Sequence, residues 1–213
     1  MRYLIVCGGK IDKEFGLNEI KTDGIDAIIA ADSGMDFLYE NGVTPDIIVG
    51  DFDSATTKAL EFFERKGQTE IHRLNPIKDD TDTEYAIRLA ISEGARSIVM
   101  LGATGSRIDH VLGNISLLGI GLESKTDISI IDTNNRIRMS DKPVTIEKSA
   151  QYGRFVSLIA VTDDNEVSLK GFKYPVTDYS FDRFTSLGIS NEIVDDHALI
   201  DICLLYTSPS PRD

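Results

Sequence analysis

The sequence has 213 residues, of which 41% are hydrophobic, so it can bury one or two globular cores without disulfides or structural metal ions. Its 35 acidic and 22 basic residues give a formal net charge of -13 at pH 7. That charge argues against a nucleic acid or an anionic membrane as the main partner, because both repel an acidic surface.

The N-terminal residues and the cysteines indicate a cytoplasmic protein. The opening residues MRYLIVCGGK read as a strand that enters a glycine turn, not as a signal peptide. No segment approaches the roughly 18 apolar residues of a membrane span. Cys7 and Cys203 lie far apart, without a CxxC pair or zinc-ligand spacing, so no disulfide framework is expected.

Residues 1–132 alternate short apolar runs with helix-like segments, which predicts βαβ units and a mostly parallel sheet. The predicted strands are residues 3–7, 27–31, 46–49, 70–74, 97–101 and 128–131. A helix is predicted over 80–93, where Thr81 and Glu84 fit a capping box. A second helix is predicted from 108 to about 118. Its apolar stripe, expected to be core, consists of Ile108, Val111, Leu112, Ile115 and Leu118.

The character of the sequence changes after about residue 133. The segments PVTIE, RFVSLIAV, EVSLKGF and ALIDI are short, β-branched or alternating, and Gly, Pro, Asn and Asp separate them. This pattern predicts a smaller all-β domain over residues 138–202, with a hinge near 133–138.

The last eleven residues, CLLYTSPSPRD, resemble the translation of a transposase sequencing adapter. We therefore expect residues 203–213 not to be native and exclude them from the fold prediction. On this interpretation the final strand of the β domain is lost and a sheet edge is exposed. The alternative is a native tail in which CLLY continues the preceding strand.

Four acidic segments each follow an apolar, strand-like run. The carboxyl ends of parallel strands meet at one crevice of an open sheet, where ligands bind. Carboxylates gathered there can hold a hard divalent cation together with a polyphosphate. The residues are Asp32 in AADSG, Asp51 and Asp53 in VGDFDS, Asp79 and Asp82 in KDDTD, and Asp109 in GSRIDH.

Structural explanations compete with this interpretation. Asp51 and Asp53 point to the same side of an extended chain and can share a cation, but a strand-end Asp also often caps the next helix. The three aspartates of KDDTD complement a helix dipole, whereas Lys78 before them is better explained by a phosphate. Asp80 is assigned to the helix cap alone.

The segment LGATGSRIDH combines a strand, a glycine turn and a helix start. Gly102 and Gly105 allow the backbone to approach an anion, and Arg107 can bind phosphate oxygens. Neither GxGxxG nor GxxxxGK[ST] is present, so a standard dinucleotide fingerprint or Walker loop is not supported. For Asp109 and His110, helix capping and a surface histidine are the alternatives.

The ordered motifs ADSG, PDIIVGDFDS, KDDTD, GATGSRIDHVLGNI and GISNEI resemble the thiamine pyrophosphokinase (thiamine diphosphokinase) family over residues 28–202. The resemblance implies a mostly parallel, Rossmann-like three-layer α/β domain followed by a small all-β, sandwich-like domain. It also implies a homodimer, with thiamine bound where two subunits meet. Ser33 and Ser106 stand where glycine is commoner in the family.

The activity implied by the resemblance is Mg²⁺-dependent transfer of the diphosphate of ATP to thiamine, giving thiamine diphosphate and AMP. The implied metal ligands are Asp51, Asp53 and Asp82. The implied nucleotide or phosphate contacts are Asp32, Ser33, Lys78, Asp79, Thr81, Thr104, Arg107, Asp109 and His110. The implied thiamine contacts are Ser190 and Asn191.

Asp82, Arg107 and Asp109 are the implied catalytic residues, and the general base stays open between Asp82 and Asp109. The aromatic residue that stacks on thiamine in some members is not placed, because this chain has no Trp.

Two other functions compete with this one. A haloacid-dehalogenase-like phosphatase also places DxD after a strand and would release phosphate, but it leaves GSRIDH and SNE unexplained. A non-catalytic nucleotide- or metabolite-sensing module is the second, since a fold alone does not imply an activity.

Overall fold

The computed structural model describes residues 1–52, 57–75, 80–163 and 165–204. The chain divides into two compact units, Met1–Met139 and the part from Ser140 onward. Among the described residues, no helix combines the length and the apolar character needed to cross a membrane.

The described part of the first unit forms a sheet of seven strands in the order β4-β3-β2-β1-β5-β6-β7. Described neighbours are parallel except β6 and β7, which are antiparallel. The strands are β1 (Arg2–Val6), β2 (Ala27–Ala31), β3 (Ile47–Gly50), β4 (Glu70–Arg73), β5 (Ser97–Leu101), β6 (Asp127–Ile131) and β7 (Arg136–Arg138).

Helices cover both faces of this sheet. They are α1 (Lys13–Ile20), α2 (Gly34–Glu40), α3 (Thr57–Lys66), α4 (Asp82–Ser92) and α5 (Ile108–Ser124). Alternate residues of β1 enter two different cores: Ile5 packs with residues of α4 and α5, and Leu4 packs with residues of α2 and α3. Burial on both faces explains why the inner strands β1, β2, β3 and β5 are nearly continuous apolar runs.

The described part of the second unit forms an antiparallel sheet of four strands in the order β10-β9-β11-β8. Its strands are β8 (Val144–Glu147), β9 (Asn165–Lys170), β10 (Val176–Phe181) and β11 (His197–Leu204). Its core includes Val167, Leu169, Phe181 and Ile200. The two sheets confirm the predicted fold class.

The predicted strands of the first unit are confirmed, because both ends of each predicted strand lie within one residue of the ends of an observed strand. One predicted strand of the second unit is wrong. Within RFVSLIAV, all of which is described, only Val156 pairs, through an isolated bridge to Asn191. Conversely, β11 extends through residue 204, two residues beyond the predicted end of the β domain.

The predicted burial of the α5 stripe is wrong at its N-terminal end. Leu118 is 2% exposed and Ile115 packs against the core, but Ile108 is 73% and Leu112 is 60% exposed in this chain. The helix also runs to Ser124, six residues beyond its predicted end. Only the C-terminal part of the stripe therefore reaches the sheet.

Candidate active site

The site lies where the order of the parallel strands reverses. The chain runs outward from β1 through β2 and β3 to β4, and β5 and β6 then lie on the other side of β1. The connections from β1 and from β5 therefore leave in opposite directions and open a crevice at the carboxyl ends of the strands.

Two glycine turns line this crevice and touch each other. The N–H of Gly9, after β1, donates to the carbonyl of Gly102, after β5, over 2.9 Å. A Cβ at Gly9 would lie 2.3 Å from that carbonyl oxygen, and Gly102 adopts φ +67°. Side chains at either position would separate the turns, so the structure gives Gly102 a packing role in addition to any anion contact.

A cleft of about 650 Å³ opens beside these turns. Its lining comes from the segments that follow β1, β5 and β6, and includes Lys10, Thr104, Ser106, Asp132 and Asn134. A cationic side chain and several hydrogen-bonding groups thus line one concave surface at the strand ends. Such a surface suits a polar, phosphorylated ligand.

Asp132 joins two walls of the cleft. Its carboxylate accepts hydrogen bonds from the Thr104 hydroxyl (2.8 Å) and from the backbone N–H groups of Asn134 (2.8 Å) and Asn135 (2.7 Å). Burial alone would raise the pKa of the Asp132 carboxyl, but the hydrogen bonds from Asn134, Thr104 and Asn135 outweigh burial and hold that pKa below its ordinary value of 3.8. The carboxylate is therefore ionised at neutral pH.

Three carboxylates gather at the neighbouring strand ends. Oxygen atoms of Asp32, Asp51 and Asp82 all lie within 4.8 Å of one another. Asp32 follows β2 with φ +48°, and Asp51 follows β3. Asp82 is the first residue of α4, where the Thr81 hydroxyl accepts the N–H of Glu84 (3.2 Å) as the N-cap. Asp80 therefore precedes the cap residue and is not itself the cap.

This cluster fits a magnesium ion. Octahedral Mg²⁺ with oxygens at about 2.1 Å places its ligands about 3 to 4 Å apart, and small side-chain rotations close the observed spacing to that range. Asp51 and Asp82 were the metal ligands implied by the sequence resemblance, whereas Asp32 was assigned to the nucleotide. The third implied ligand, Asp53, lies outside the described residues, as do Lys78 and Asp79.

Arg107 is the N-cap residue of α5, and Asp109 and His110 lie on the first turn of the helix; all three are exposed. The Arg107 guanidinium donates to both carboxylate oxygens of Asp109, over 3.3 and 2.7 Å, and the Arg107 side chain is 69% exposed. This hydrogen bond is the main reason that the pKa of Asp109 lies below its usual value. Among residues 105–110, all of which are described, Gly105 and Ser106 line the cleft. Arg107, Asp109 and His110 do not line it.

The thiamine contacts implied by the sequence lie together in the second unit but differ in exposure. Ser190 is exposed and adopts φ +61°, whereas Asn191 is 5% exposed. The Asn191 Oδ1 accepts the N–H groups of Tyr174 (3.1 Å) and Glu192 (3.0 Å), and its Nδ2 donates to the Tyr174 carbonyl (2.9 Å). The Asn191 side chain thus fixes the backbone of Tyr174 against its own loop.

Glu192 anchors the same loop by charge. Its carboxylate accepts from Lys173 (2.9 Å) and from Arg154 (3.1 Å). Those two hydrogen bonds, led by that of Lys173, lower the pKa of Glu192. Glu192 thus joins this loop to Arg154 and Lys173.

Lys10, Asp132 and Asn134 line the cleft but were not among the residues predicted from the sequence. Each follows a strand, β1 or β6, whose end had been predicted. The expectation that strand ends carry the site applies to β1 and β6 as much as to β2, β3, β4 and β5, and it is the signal that points to these residues.

The fold and the site define a two-domain protein with a mostly parallel α/β domain, which carries a switch-point cleft and a carboxylate cluster at strand ends, and a separate antiparallel β domain. A family model described as "Thiamin pyrophosphokinase, catalytic domain" matches residues 21–131. A second, "Thiamin pyrophosphokinase, vitamin B1 binding domain", matches residues 143–202.

Similar proteins agree with these matches. A thiamine pyrophosphokinase of Bacillus subtilis is 36% identical over 168 residues, which cover 78% of each chain. The crystal structure of thiamine pyrophosphokinase from Bacillus subtilis superposes with a TM-score of 0.85 at 31% identity, covering 96% of this chain and 95% of that chain. The corresponding structure from Geobacillus thermodenitrificans gives a TM-score of 0.80 at 29% identity, covering 96% and 94%. The chain belongs to the thiamine pyrophosphokinase family.

Proposed function

We propose that the protein transfers the diphosphate group of ATP to the hydroxyethyl group of thiamine, giving thiamine diphosphate and AMP, with Mg²⁺ as the cofactor. The observation that carries this proposal is the cluster of Asp32, Asp51 and Asp82 at the carboxyl-end edge of the parallel sheet. Family membership supplies the reaction class, and the cluster supplies a means of holding the metal–polyphosphate complex.

The residues of the first unit suit this reaction. Transfer of a phosphoryl-type group depends mainly on positioning and charge neutralisation, and little on covalent chemistry by the protein. The three aspartates would hold Mg²⁺, which would neutralise charge on the polyphosphate. Lys10 offers a cation from the cleft wall, and Arg107 is exposed at the helix start, where it can exchange Asp109 for a phosphate.

The second unit is the proposed thiamine site. The matched vitamin B1 binding segment contains Ser190 and the loop that Asn191 and Glu192 hold in place. We assign direct contact with thiamine to exposed residues of this loop, such as Ser190. The protein would act as a homodimer, and sedimentation equilibrium on the full chain measures this directly.

One assay separates the proposed reaction from its competitors. The protein is incubated with ATP, Mg²⁺ and thiamine, and AMP and inorganic phosphate are quantified. Thiamine-dependent AMP supports the proposed transfer. Phosphate without AMP supports a phosphatase, and binding of both ligands without turnover supports a sensing module.

A matched pair of variants ties the reaction to the carboxylate cluster. Asp82→Asn keeps the size of the side chain but removes a charge from the proposed metal site, so we expect loss of turnover with an unchanged thermal midpoint. Asp23→Asn removes the same charge from an exposed residue that precedes β2, at the opposite edge of the sheet, and should retain activity. Near-wild-type turnover in Asp82→Asn would exclude Asp82 as a metal ligand.

A further inference from the structure

The turn after β3 contains a backbone conformation that its sequence does not favour. Phe52, directly after Asp51, adopts φ +64°. A bulky side chain in this left-handed region is a genuine outlier, because its Cβ crowds the neighbouring carbonyl oxygen. Such strain persists only where the surrounding structure holds it, and it concentrates at functional sites.

Gly50 provides the space for this turn. A Cβ at Gly50 would lie 3.1 Å from Cε1 of the Phe52 ring and 3.2 Å from the Cα of Asp32. The ring of Phe52 therefore folds back over Gly50, on the side where the backbone of Asp32 also approaches. The Asp32 N–H donates to the Val49 carbonyl (2.8 Å), which fixes the end of β2 against the end of β3.

Arg73 covers the ring of Phe52 from the adjacent strand. Gly50 pairs with Arg73 in the β3–β4 register, and the Arg73 guanidinium carbon lies 5.4 Å from the centre of the Phe52 ring. This is a cation–π distance. The guanidinium also forms an ion pair with Glu64 of α3.

We infer that Phe52 and Arg73 are positioning residues, which hold the left-handed turn that directs the Asp51 carboxylate toward Asp32 and Asp82. Neither residue needs to touch the metal. The packed ring prevents the turn from relaxing to negative φ, and the guanidinium holds the ring in place. This inference rests on the proposed metal site, because the function assigned to the turn is delivery of a metal ligand.

The sign of the effect at Arg73 distinguishes positioning from simple electrostatics. If Arg73 acted only through its charge, its removal would tighten the binding of a cation. If it holds Phe52 in place, its removal weakens that binding. The probe is Mn²⁺ alone, titrated into the full chain and followed by electron paramagnetic resonance.

Arg73→Met is the central variant, and its side chain is 58% exposed, so the substitution leaves the core unchanged. We expect Arg73→Met to bind Mn²⁺ about threefold more weakly, because that factor corresponds to the loss of an exposed cation–π contact. Arg73→Lys, which keeps a cation over the ring, should bind Mn²⁺ almost as tightly as the wild type. Phe52→Ala should weaken binding at least about tenfold, because without the ring the turn can relax to negative φ and no longer directs Asp51 toward the cluster. Adding Arg73→Met to Phe52→Ala should then cost nothing more.

Two controls separate this contact from its surroundings. Glu64→Gln breaks the ion pair of Arg73 but leaves the guanidinium over the ring. Lys66→Met removes one positive charge and a cation–π contact with Phe62 on α3, 5.9 Å from the ring centre. Both variants should bind Mn²⁺ with the affinity of the wild type. The midpoint of thermal unfolding, measured for each variant, shows that it is folded.

Unchanged or tighter Mn²⁺ binding in folded Arg73→Met would overturn the positioning role. Equal weakening in Lys66→Met would also overturn it, because the weakening would then not depend on the contact between Arg73 and Phe52. A wild-type chain that binds no Mn²⁺ would instead overturn the proposed metal site itself. The failure of the inference and the failure of the proposed function thus give different results.

Discussion

The Asp132 carboxylate joins two segments of the cleft wall. It accepts hydrogen bonds from the segments after β5 and β6, and these bonds lower its pKa. A carboxyl group whose pKa is lower in the folded than in the unfolded chain stabilises the fold above its ordinary pKa. That contribution disappears as the pH falls through the lowered pKa.

We therefore predict that Asp132→Asn is less stable than the wild type at pH 7 and that the difference narrows below about pH 4. The amide keeps the size of the side chain, but its NH₂ group replaces the oxygen that accepts the hydrogen bond from the Thr104 hydroxyl. An NH₂ group can only donate, so that hydrogen bond is lost. Urea unfolding of both proteins between pH 3 and pH 7 tests this prediction. A difference that stays constant over this range would show that ionisation of Asp132 does not stabilise the fold.

Arg107 is a candidate catalytic residue with little structural role. Its ion pair with Asp109 is exposed, and such pairs contribute little to stability. We predict that Arg107→Ala lowers kcat/KM by about 100-fold or more, as expected for loss of one clamp on developing charge, while the thermal midpoint stays unchanged.

Arg88→Ala is the matched control for this prediction. Arg88 also forms an exposed ion pair, with Glu84 on α4, and its side chain is 54% exposed. It should retain wild-type kinetics. Initial rates at saturating thiamine and varied ATP decide the matter, and unchanged kinetics in Arg107→Ala would remove this residue from the site.

At the scale of the element, the start of α4 joins stability to the site. The Thr81 hydroxyl accepts the Glu84 N–H, and the next residue is Asp82 of the carboxylate cluster. We predict that Thr81→Ala lowers the free energy of unfolding by about 1 kcal/mol, the usual cost of losing an N-cap, and that Thr81→Ser restores it. Urea unfolding measures both.

Ser33 provides the comparison for Thr81. It occupies the N-cap position of α2, but its side chain makes no capping hydrogen bond. Ser33→Ala should therefore change the stability of the protein less than Thr81→Ala. Equal losses in the two variants would mean that capping is not what Thr81 contributes.

The elements that could be predicted from the sequence are those whose pattern of apolar residues matches the faces that they bury in the structure. The strands 27–31 and 97–101 are continuous apolar runs, and the observed β2 and β5 have these bounds. RFVSLIAV has a similar local pattern but forms only one isolated bridge, because neighbours elsewhere in the chain decide which strand-like segments find a partner. The stripe of α5 was misjudged for a related reason, since periodicity does not show how far a helix extends beyond its sheet.

The site was predictable to the extent that it follows strand ends. Asp51 and Asp82 were identified as candidate metal ligands by their motifs, and the structure brings them together. The left-handed conformations of Asp32 and Phe52 were not predictable, because non-glycine residues adopt positive φ only when tertiary contacts impose it. The role of Gly50 became visible only through its distances to these two residues.

At the scale of the whole molecule, two separate cores correspond to two matched family segments. The boundary between Met139 and Ser140 falls between the segments 21–131 and 143–202. Each unit has its own sheet and its own hydrophobic cluster. Damage to the second sheet should therefore affect the thiamine-binding segment before it affects the carboxylate cluster.

The end of β11 allows a test of this separation. In the second sheet β11 lies between β9 and β8, and its last described pairs join Cys203 to Glu166 and Leu204 to Asn165. Removing residues 205–213 leaves every described pair intact, whereas removing 203–213 deletes these two.

We predict that the longer deletion is less stable than the shorter one by about 1 to 3 kcal/mol, the contribution of about two hydrogen bonds of the second sheet. The KM for thiamine should rise in the longer deletion, while Mn²⁺ binding at the first unit stays unchanged. Differential scanning calorimetry and steady-state kinetics on both truncated chains test this. Parallel losses of thiamine affinity and Mn²⁺ binding would show that the two units do not behave independently.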